Sequence, residues 1–291
     1  MTADQIYNTL YKNEGRCADR SFMYEQGGHM KALINLQEIS SKMKSVFEDT
    51  EINFKEPLIM EPFFEDFRYF FCWSSNAIEG NTLTLDDTIS FLDYDEVRSG
   101  HTFSEYEEAR RLNKAITTFL DFKGKDIDEK WIQEINSVII DSEAGYRKKN
   151  VYIGTMAEAV YYPPAFERIP ELMSEFSRDI NFRTSDIDKV IRRTVSKHIE
   201  FERIHPFEDG NGRTGRIILN QCLINNGLLP VSIGPKSKYR QAFKQYDKNE
   251  DISLMEHIIY KAELASLEKV KSLSEKLSHS LQVKNKKSRP R

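Results

Sequence analysis

Cysteine is scarce in this sequence, and its distribution excludes two common uses. The three cysteines, Cys17, Cys72 and Cys222, are odd in number and widely separated. This pattern argues against a disulfide framework and against a zinc site built from cysteine pairs. We therefore expect reduced thiols.

A strong excess of one charge and long apolar runs are also missing. The 42 basic and 46 acidic residues leave a formal net charge of −4, which creates no global field for nucleic acid or a membrane surface. No window approaches the roughly 18 uninterrupted apolar residues that span a bilayer. The first residues, MTADQIYNTLYKNEGR, resemble neither a secretory signal nor a transit peptide. The sequence predicts a cytoplasmic protein with no membrane partner. Because the net charge creates no global field, any anion binding must be local.

Apolar residues recur at helical spacing along nearly the whole chain, whereas strand-like alternation is almost missing. The predicted fold class is therefore mainly α. Pro62 suits the first turn of a phenylalanine-rich helix that ends at Gly80. Thr84, with Asp87 three residues on, suits the N-cap of the next helix. The other helical patterns cover residues 30–46, 104–122, 129–142, 170–182, 188–204 and 252–281.

One segment departs from the helical pattern. Residues 145–164 contain two glycines and a Pro-Pro pair around two β-favouring runs, 151–153 and 159–162. We predict a β-hairpin flap here that could pair main-chain groups with an extended peptide segment. An ordinary hairpin that only covers the core would have the same local sequence.

The stretch HPFEDGNGRTGR, residues 205–216, has the densest set of chemically useful side chains. Pro206 should break the preceding helix, and an apolar helical pattern resumes at Ile217, so the stretch is a loop that opens a helix. Free N–H groups at a helix start favour an anion, and glycines let it approach the main chain. Arg213 and Arg216 share one helix face and offer forked donors to phosphate. We interpret the stretch as a polyphosphate site.

Two more residues of this stretch suit group transfer. Asp209 beside a polyphosphate needs a cation between them, which Mg²⁺ supplies. His205, with an ordinary pKa of about 6.5, can accept a proton from an attacking group near neutral pH. Taken singly, a histidine is more often a packed or surface residue, and Gly-Asn-Gly is usually a turn. The Gly-Lys-Ser/Thr ending of a Walker A loop is absent.

Together these residues resemble the signature of the Fic family, His-x-Phe-x-Asp/Glu-Gly-Asn-Gly-Arg-x-x-Arg, at all eight specified positions. The flanking sequence and the segments GYRKKNVYIG and YYPP are similar to the family core and its target-docking flap. The resemblance implies a Fic-type helical bundle with a small β-hairpin flap and an N-terminal helical extension. The implied regions are 1–100, N-terminal helices with an inhibitory motif; 101–260, the catalytic core; and 261–291, a C-terminal helix and basic tail.

The activity that the resemblance implies is adenylyl transfer, in which a Tyr, Thr or Ser hydroxyl of a target protein attacks the α-phosphate of Mg-ATP and pyrophosphate leaves. His205 would be the base, Asp209 would hold Mg²⁺, and Phe207 would anchor the loop in the core. The implied nucleotide-binding residues are Gly210, Asn211 and Gly212 as the anion hole, Arg213 on the β- and γ-phosphates, Arg216 on the γ-phosphate, and in addition Thr214, Gly215 and Tyr239. The implied docking residues of the flap are Val151, Tyr152, Ile153 and Gly154. The asparagine that the family often has seven residues after this tyrosine is Tyr246 here, which leaves base selectivity open.

A second resemblance lies far upstream, in SSNAIEGN. Ser75-x-x-x-Glu79-Gly80 is similar to the autoinhibitory Ser/Thr-x-x-x-Glu-Gly/Asn motif of Fic proteins. It implies that Glu79 pairs with Arg216 and forces ATP into an unproductive pose, while Ser75 braces the helix end. On its own so short a pattern is common, and Glu79 would more often be a capping or surface acid.

Other functions stay open. Among enzymes, the alternatives are removal of AMP with Glu79 orienting water, and transfer from UTP or another donor; phosphorylation is disfavoured because Gly212 stands where phosphorylating members carry lysine. A non-catalytic module that binds nucleotide or DNA is the alternative from another class. Five of the last nine residues, 283–291, are basic, but so short a run favours a solvated, mobile tail over nucleic acid. Self-modification and a homodimer through the N-terminal helices are further alternatives, and the target protein is not indicated.

Overall fold

The computed structural model describes residues 25–26, 29–30, 35–50, 53–154, 159–234 and 236–287. Cys17, the tip of the predicted hairpin and the last four residues of the predicted tail lie outside these ranges. The described helices are α1 (Leu36–Asp49), α2 (Pro57–Glu79), α3 (Leu85–Tyr94), α4 (Phe103–Phe119), α5 (Glu129–Ile140), α6 (Ile169–Asp179), α7 (Ile187–Ile204), α8 (Asn211–Ile224), α9 (Lys236–Asn249) and α10 (Ser253–Lys287), with a 3-10 turn at Phe166–Arg168. Two antiparallel pairs join β1 (Glu25–Gln26) to β2 (His29–Met30) and β3 (Ile153–Gly154) to β4 (Ala159–Tyr161). The mainly α class with a small hairpin is confirmed.

The two N-terminal helix starts differ from the predictions. Helix α1 begins at Leu36, because the Asn35 side chain caps it by accepting from Glu38 N at 3.1 Å, and Met30 lies in a strand instead. Helix α2 begins at Pro57, with the Glu56 side chain as N-cap, so Pro62 lies inside the helix and not in its first turn. Pro62 has no N–H to donate to Leu58 O, so the helix lacks one intrahelical hydrogen bond at this position.

The predicted caps between α2 and α3 are present. Gly80 ends α2 in the left-handed conformation, with φ of 114°. Thr84 and Asp87 form a reciprocal capping box at the start of α3, in which each side chain accepts from the other residue's main-chain N–H. These two devices fix where α2 stops, and thereby fix the position of its last residue, Glu79.

Three helices, α2, α7 and α8, contribute to both large buried clusters of the described residues. One cluster joins them to α1, α9 and α10 through side chains such as Met43, Leu219 and Ile259. The other joins them to α4, α5 and α6 through side chains such as Leu112 and Phe176. Because these three helices are packed from two sides, they form the rigid centre of the fold.

The C-terminal region differs from the prediction in two ways. The predicted boundary between residues 260 and 261 falls inside α10, and Tyr260 and Leu264 pack in the same cluster. Helix α10 also continues to Lys287, through half of the segment predicted as a tail. Lysine is a good helix former, and no proline lies between the start of α10 at Ser253 and Pro290. None of the helices in the described ranges combines the length and apolar character needed to cross a bilayer.

Candidate active site

The loop between α7 and α8 carries most of the predicted site. His205 ends α7 in a left-handed conformation, with φ of 50°, and its N–H donates to Phe201 O at 2.9 Å. Gly210 precedes α8 with φ of 75°, and a Cβ there would lie 2.8 Å from both Asn136 Nδ2 and Ile140 Cγ2. Only glycine combines that backbone with so close an approach. The first intrahelical bond joins Thr214 N to Gly210 O, so the N–H groups of residues 211–213 have no partner within the helix.

Asn211 holds the loop closed. Its Oδ1 accepts from Phe207 N and its Nδ2 donates to Phe207 O, both at 2.9 Å. Phe207 is 1% exposed and lies in the core, as the resemblance implied. The Asn211 side chain is therefore committed to the loop, and only its main-chain N–H can contribute to an anion hole.

The environment of His205 defines which ring nitrogen can act as a base. Nδ1 lies 3.3 Å from Glu202 O. A carbonyl can only accept, so Nδ1 carries the proton and Nε2 has a free lone pair. Burial is the main reason that the pKa of His205 is lowered to about 4; the Glu202 carbonyl opposes the shift and the Arg147 charge adds to it. The imidazole is neutral at pH 7 and can accept a proton.

We expect the His205 ring to titrate with a midpoint near 4 instead of its ordinary 6.5. The neutral form is the competent base, so competence is retained on acidification until the pH falls through that midpoint. NMR titration of the His205 ring protons measures it, with His205→Ala identifying the signal. A midpoint at or above 6.5 would contradict the assignment. Burial also raises the pKa of Glu202 to about 7, so a pH–rate profile could contain the titration of Glu202 as well. The NMR signal of the ring reports His205 alone.

Arg216 on α8 is fully engaged on one side by the end of α2. Its Nε donates to Ser75 Oγ at 2.8 Å, and its Nη2 donates to Ser75 O at 3.0 Å and to Glu79 Oε1 at 2.7 Å. The predicted contact with Glu79 is thus present between residues 137 positions apart. Ser75 contacts Arg216 directly instead of bracing the helix end. Arg216 is 1% exposed, whereas the Glu79 side chain is 40% exposed.

The carboxylate of Glu79 lies over the start of α8. A Cβ on Gly212 would collide with Glu79 Oε1 and would lie 3.0 Å from Arg216 Nη1. Burial raises the pKa of Glu79, but Arg216, Arg213 and Lys236 together outweigh it and the net shift is downward. Glu79 is therefore a carboxylate at neutral pH, in the place where the helix start and two arginines favour an anion.

Two guanidinium nitrogens beside this place have no partner among the described residues. They are Arg213 Nε and Arg216 Nη1, and both are buried. A buried donor without a partner costs about 1–3 kcal/mol, so such donors are normally satisfied by a ligand or water. Both arginines lie in the first turns of α8, so these two donors are available to an anion at its start.

Asp209 is the one predicted metal ligand. Its side chain is 75% exposed, Oδ1 accepts from Gly210 N at 2.6 Å, and both oxygens lie 3.5 Å from Arg213 Nη2. Within the described ranges no group of three or more His, Cys, Asp or Glu side chains could hold a metal by itself. A single open carboxylate beside phosphate-binding donors fits Mg²⁺, which is usually bound by one or two carboxylates together with substrate phosphates.

Three residues of the predicted nucleotide-binding set face the protein interior. Thr214 is completely buried and its Oγ1 accepts from Asn136 Nδ2 at 3.2 Å. A Cβ on Gly215 would lie 2.6 Å from Glu202 Oε1 and 3.0 Å from Phe201 Cδ1, so this glycine serves the contact between α7 and α8. Tyr239 is 4% exposed and its hydroxyl lies 2.7 Å from His198 Nε2. The expected nucleotide contacts of these three residues stay predictions; the ring of Tyr239 lies 5.6 Å from the Arg216 guanidinium.

Sequence reasoning missed Arg147, which joins the flap to the base. This buried guanidinium donates to His205 O at 2.8 Å, to Lys149 O at 2.9 Å and to Pro164 O, and its main-chain N donates to Pro206 O at 2.9 Å. In the flap, Ile153 pairs with Tyr161. Val151 and Ile153 are half-buried, while Tyr152 and Gly154 are exposed. The sequence GYRKK contains this arginine, but its three acceptors are main-chain carbonyls, so no pattern of side chains predicts these contacts.

We expect Arg147→Ala to lower the free energy of unfolding by about 3–5 kcal/mol, because three partly buried main-chain carbonyls would lose a charged donor. Urea denaturation measures the change. Lys149→Ala is the matched control, since Lys149 lies in the same segment with a 67% exposed side chain and one surface ion pair to Glu208. Its loss should cost at most about 1 kcal/mol. Equal effects of the two substitutions would contradict the role given to Arg147.

The described geometry is a helix–loop–helix on a mainly α fold, with His205 at the end of α7 and Gly210 just before α8. Residues 126–223 match the model of the Fic/DOC family. Over this part of its length, about a third, the chain is similar to the Fic/DOC family.

Curated relatives named protein adenylyltransferase Fic match a larger part of the chain. The protein from Drosophila melanogaster is 31% identical over 182 residues, which cover 59% of this chain and 36% of the fly protein. The protein from Nematostella vectensis is 30% identical over 177 residues, covering 55% and 38%. The chain thus spans little more than a third of the length of these relatives.

Solved structures show the same fold. A Fic domain containing signaling protein from Bacteroides thetaiotaomicron matches with a TM-score of 0.66 and 24% identity, over 83% of this chain and 97% of that one. Fic-1 from C. elegans matches with a TM-score of 0.66 and 20% identity, over 83% and 72%. At these identities the likeness establishes the architecture alone.

Proposed function

We propose that this chain is a protein adenylyltransferase, which moves AMP from Mg-ATP to a hydroxyl of a target protein. The observation that carries the proposal is the neutral His205, with Nε2 free, next to an α8 start where Arg213 Nε and Arg216 Nη1 are unpaired. The name that the curated relatives share supports it for the part of their length that the chain spans.

In the proposed reaction the target hydroxyl gives its proton to His205 Nε2 while its oxygen bonds to the α-phosphorus. The bond from the α-phosphorus to the oxygen that bridges to the β-phosphate breaks, and pyrophosphate leaves with that electron pair. Arg213, Arg216 and the N–H groups at the start of α8 stabilise the phosphate charge. Asp209 would hold Mg²⁺, which neutralises phosphate charge when bound.

The flap would present the target. An extended segment that pairs with the main chain of residues 151–154 would bring its hydroxyl towards His205 without demanding a particular side-chain sequence. The Arg147 hydrogen bonds support this role. They link Lys149 and Pro164, which flank the two flap strands, to the carbonyl of His205.

We further propose that Glu79 inhibits the enzyme. Its carboxylate accepts a hydrogen bond from the Arg216 guanidinium and lies next to Gly212, where the terminal phosphate would bind. Two anions do not share this place, so ATP binds productively only when Glu79 leaves.

The experiment that tests the activity compares ATP labelled at the α-phosphate with ATP labelled at the γ-phosphate, using the Glu79→Gly protein with Mg²⁺. AMP transfer leaves only the α label on protein. Labelling from γ alone would indicate phosphorylation, and labelling from α-labelled UTP in place of ATP would indicate another donor. Release of AMP from a pre-labelled protein would indicate AMP removal. With no labelling at all and a salt-sensitive DNA affinity that deletion of residues 283–291 abolishes, a non-catalytic module would replace the proposal.

Location and partners beyond the target hydroxyl stay predictions. A cytoplasmic location, self-modification and homodimer formation each need their own measurement. The labelled-ATP experiment on purified protein also detects self-modification. A pull-down of α-labelled proteins from native cytosol with Glu79→Gly would identify the target.

A further inference from the structure

Arg203, two residues before His205, has a set of contacts that the proposed reaction does not use. Its Nε donates to Asp247 Oδ1 and its Nη2 to Asp247 Oδ2, both at 2.8 Å. Such a two-pronged pair fixes the plane of the guanidinium. The side chain is 13% exposed, so this is not a loose surface pair.

The same guanidinium lies between two aromatic rings. Its central carbon is 4.5 Å from the ring centroid of Tyr161 on β4 and 4.7 Å from that of Phe243 on α9. At such distances a cation is attracted to the face of each ring. Arg203 therefore attaches the outer strand of the flap to α9, a helix distant from the flap in sequence.

Helix α9 also carries Tyr239, one turn before Phe243. The two rings meet edge to face, with centroids 5.1 Å apart. The Arg216 guanidinium lies 5.6 Å from the Tyr239 ring. An unbroken series of ring and guanidinium contacts thus runs from β4 through Arg203 and α9 to the arginine assigned to the terminal phosphate.

We infer that Arg203 is a positioning residue that holds the flap in register with the nucleotide site. Arg147 fixes the flanks of the hairpin, and Arg203 fixes the face of β4, whose residue Tyr161 pairs with Ile153. A nucleotide that engages Arg216 stiffens the same series of contacts and thereby steadies the strand against which a target would lie. The part of this inference that names a target rests on the proposed function; the attachment itself does not.

The test is amide hydrogen exchange at Ile153, Gly154 and Tyr161 in the full chain, with Arg203→Met against Arg193→Met. Arg193 is the matched control because it lies on the same helix and stacks at 4.2 Å on the ring of Phe182, away from the hairpin residues. We expect Arg203→Met to speed exchange at the hairpin at least tenfold while exchange in α8 is unchanged. Arg193→Met should leave the hairpin as it is. Arg203→Lys, which keeps the charge but loses the planar fork, should lie between.

A second arm uses Mg²⁺ with AMPPNP, a non-hydrolysable ATP analogue, in the Glu79→Gly background. The analogue should slow hairpin exchange when Arg203 is present and should not change hairpin exchange in Arg203→Met. The Kd of AMPPNP should differ less than threefold between the proteins with and without Arg203→Met. Unchanged basal exchange in Arg203→Met, or an equal acceleration by Arg193→Met, would overturn the attachment. A persisting AMPPNP effect in Arg203→Met would overturn the coupling. If AMPPNP does not bind Glu79→Gly, the proposed function fails, while basal exchange still decides the attachment.

Discussion

Replacing Glu79 with glycine is expected to raise the rate of AMP transfer from ATP by about ten- to a hundredfold. The substitution removes the carboxylate that accepts from Arg216 Nη2 at 2.7 Å. Hydrogen bonds to charged groups are worth about 1.5–3 kcal/mol, and about 1.4 kcal/mol corresponds to tenfold. Because the Glu79 side chain is 40% exposed, solvent weakens the pair, and we expect the increase in rate to be nearer tenfold. Incorporation of α-labelled ATP into protein measures the rate.

Two controls separate this effect from a change in the helix end. Glu79→Ala also removes the carboxylate but keeps a good helix former, so it should activate as Glu79→Gly does. Glu61→Gly places the glycine at an exposed position of the same helix and should not activate. Activation by Glu61→Gly, or none by either Glu79 variant, would contradict inhibition through Arg216.

Replacing His205 with alanine in the Glu79→Gly protein is expected to lower AMP transfer by roughly 10²–10⁴-fold, the usual contribution of a general base. The Nδ1 contact with Glu202 O leaves Nε2 as the ring nitrogen that can accept the proton, and alanine removes it. The affinity for Mg-ATP should be nearly unchanged, because the ring is assigned to the target hydroxyl and not to the phosphates. Single-turnover labelling and calorimetric binding measure the two quantities.

His101→Ala is the matched control for this loss. His101 lies outside the loop, 3.3 Å from Asp87 Oδ2, and its removal should leave transfer at the level of the Glu79→Gly parent. Transfer that survives His205→Ala would mean that the hydroxyl is activated by another group. Loss of ATP binding together with transfer would mean that His205 shapes the nucleotide site.

The features that could be predicted from sequence are those encoded by neighbouring residues. The end of α2 follows from Gly80, the start of α3 from the Thr84 and Asp87 box, and the loop from Pro206 and the glycines that open α8. Each depends on groups within a few positions of one another, so the local sequence carries the signal. The pair between Glu79 and Arg216 was reached only through a resemblance, since no local rule joins residues 137 positions apart.

The roles that sequence could not predict depend on distant partners. Thr214 and Gly215 lie inside the signature, but their environment is set by Asn136 on α5 and by Phe201 and Glu202 on α7. The Asn211 side chain makes two hydrogen bonds to the Phe207 main chain, and a sequence motif does not show such contacts. The basic residues from 283 onwards predicted a solvated tail, but α10 continues to Lys287 because lysine has a high helix propensity.

The central claim is that one guanidinium, that of Arg216, is taken either by Glu79 or by the terminal phosphate of ATP. Calorimetric affinities for Mg-ATP and Mg-ADP in the parent and in Glu79→Gly test it most directly, because only ATP carries that phosphate. We expect nearly equal affinities for the two nucleotides in the parent. In Glu79→Gly we expect an ATP affinity at least about tenfold above that for ADP, from one gained charged hydrogen bond. A parent that already prefers ATP by the same factor, or a variant with no preference, would contradict it.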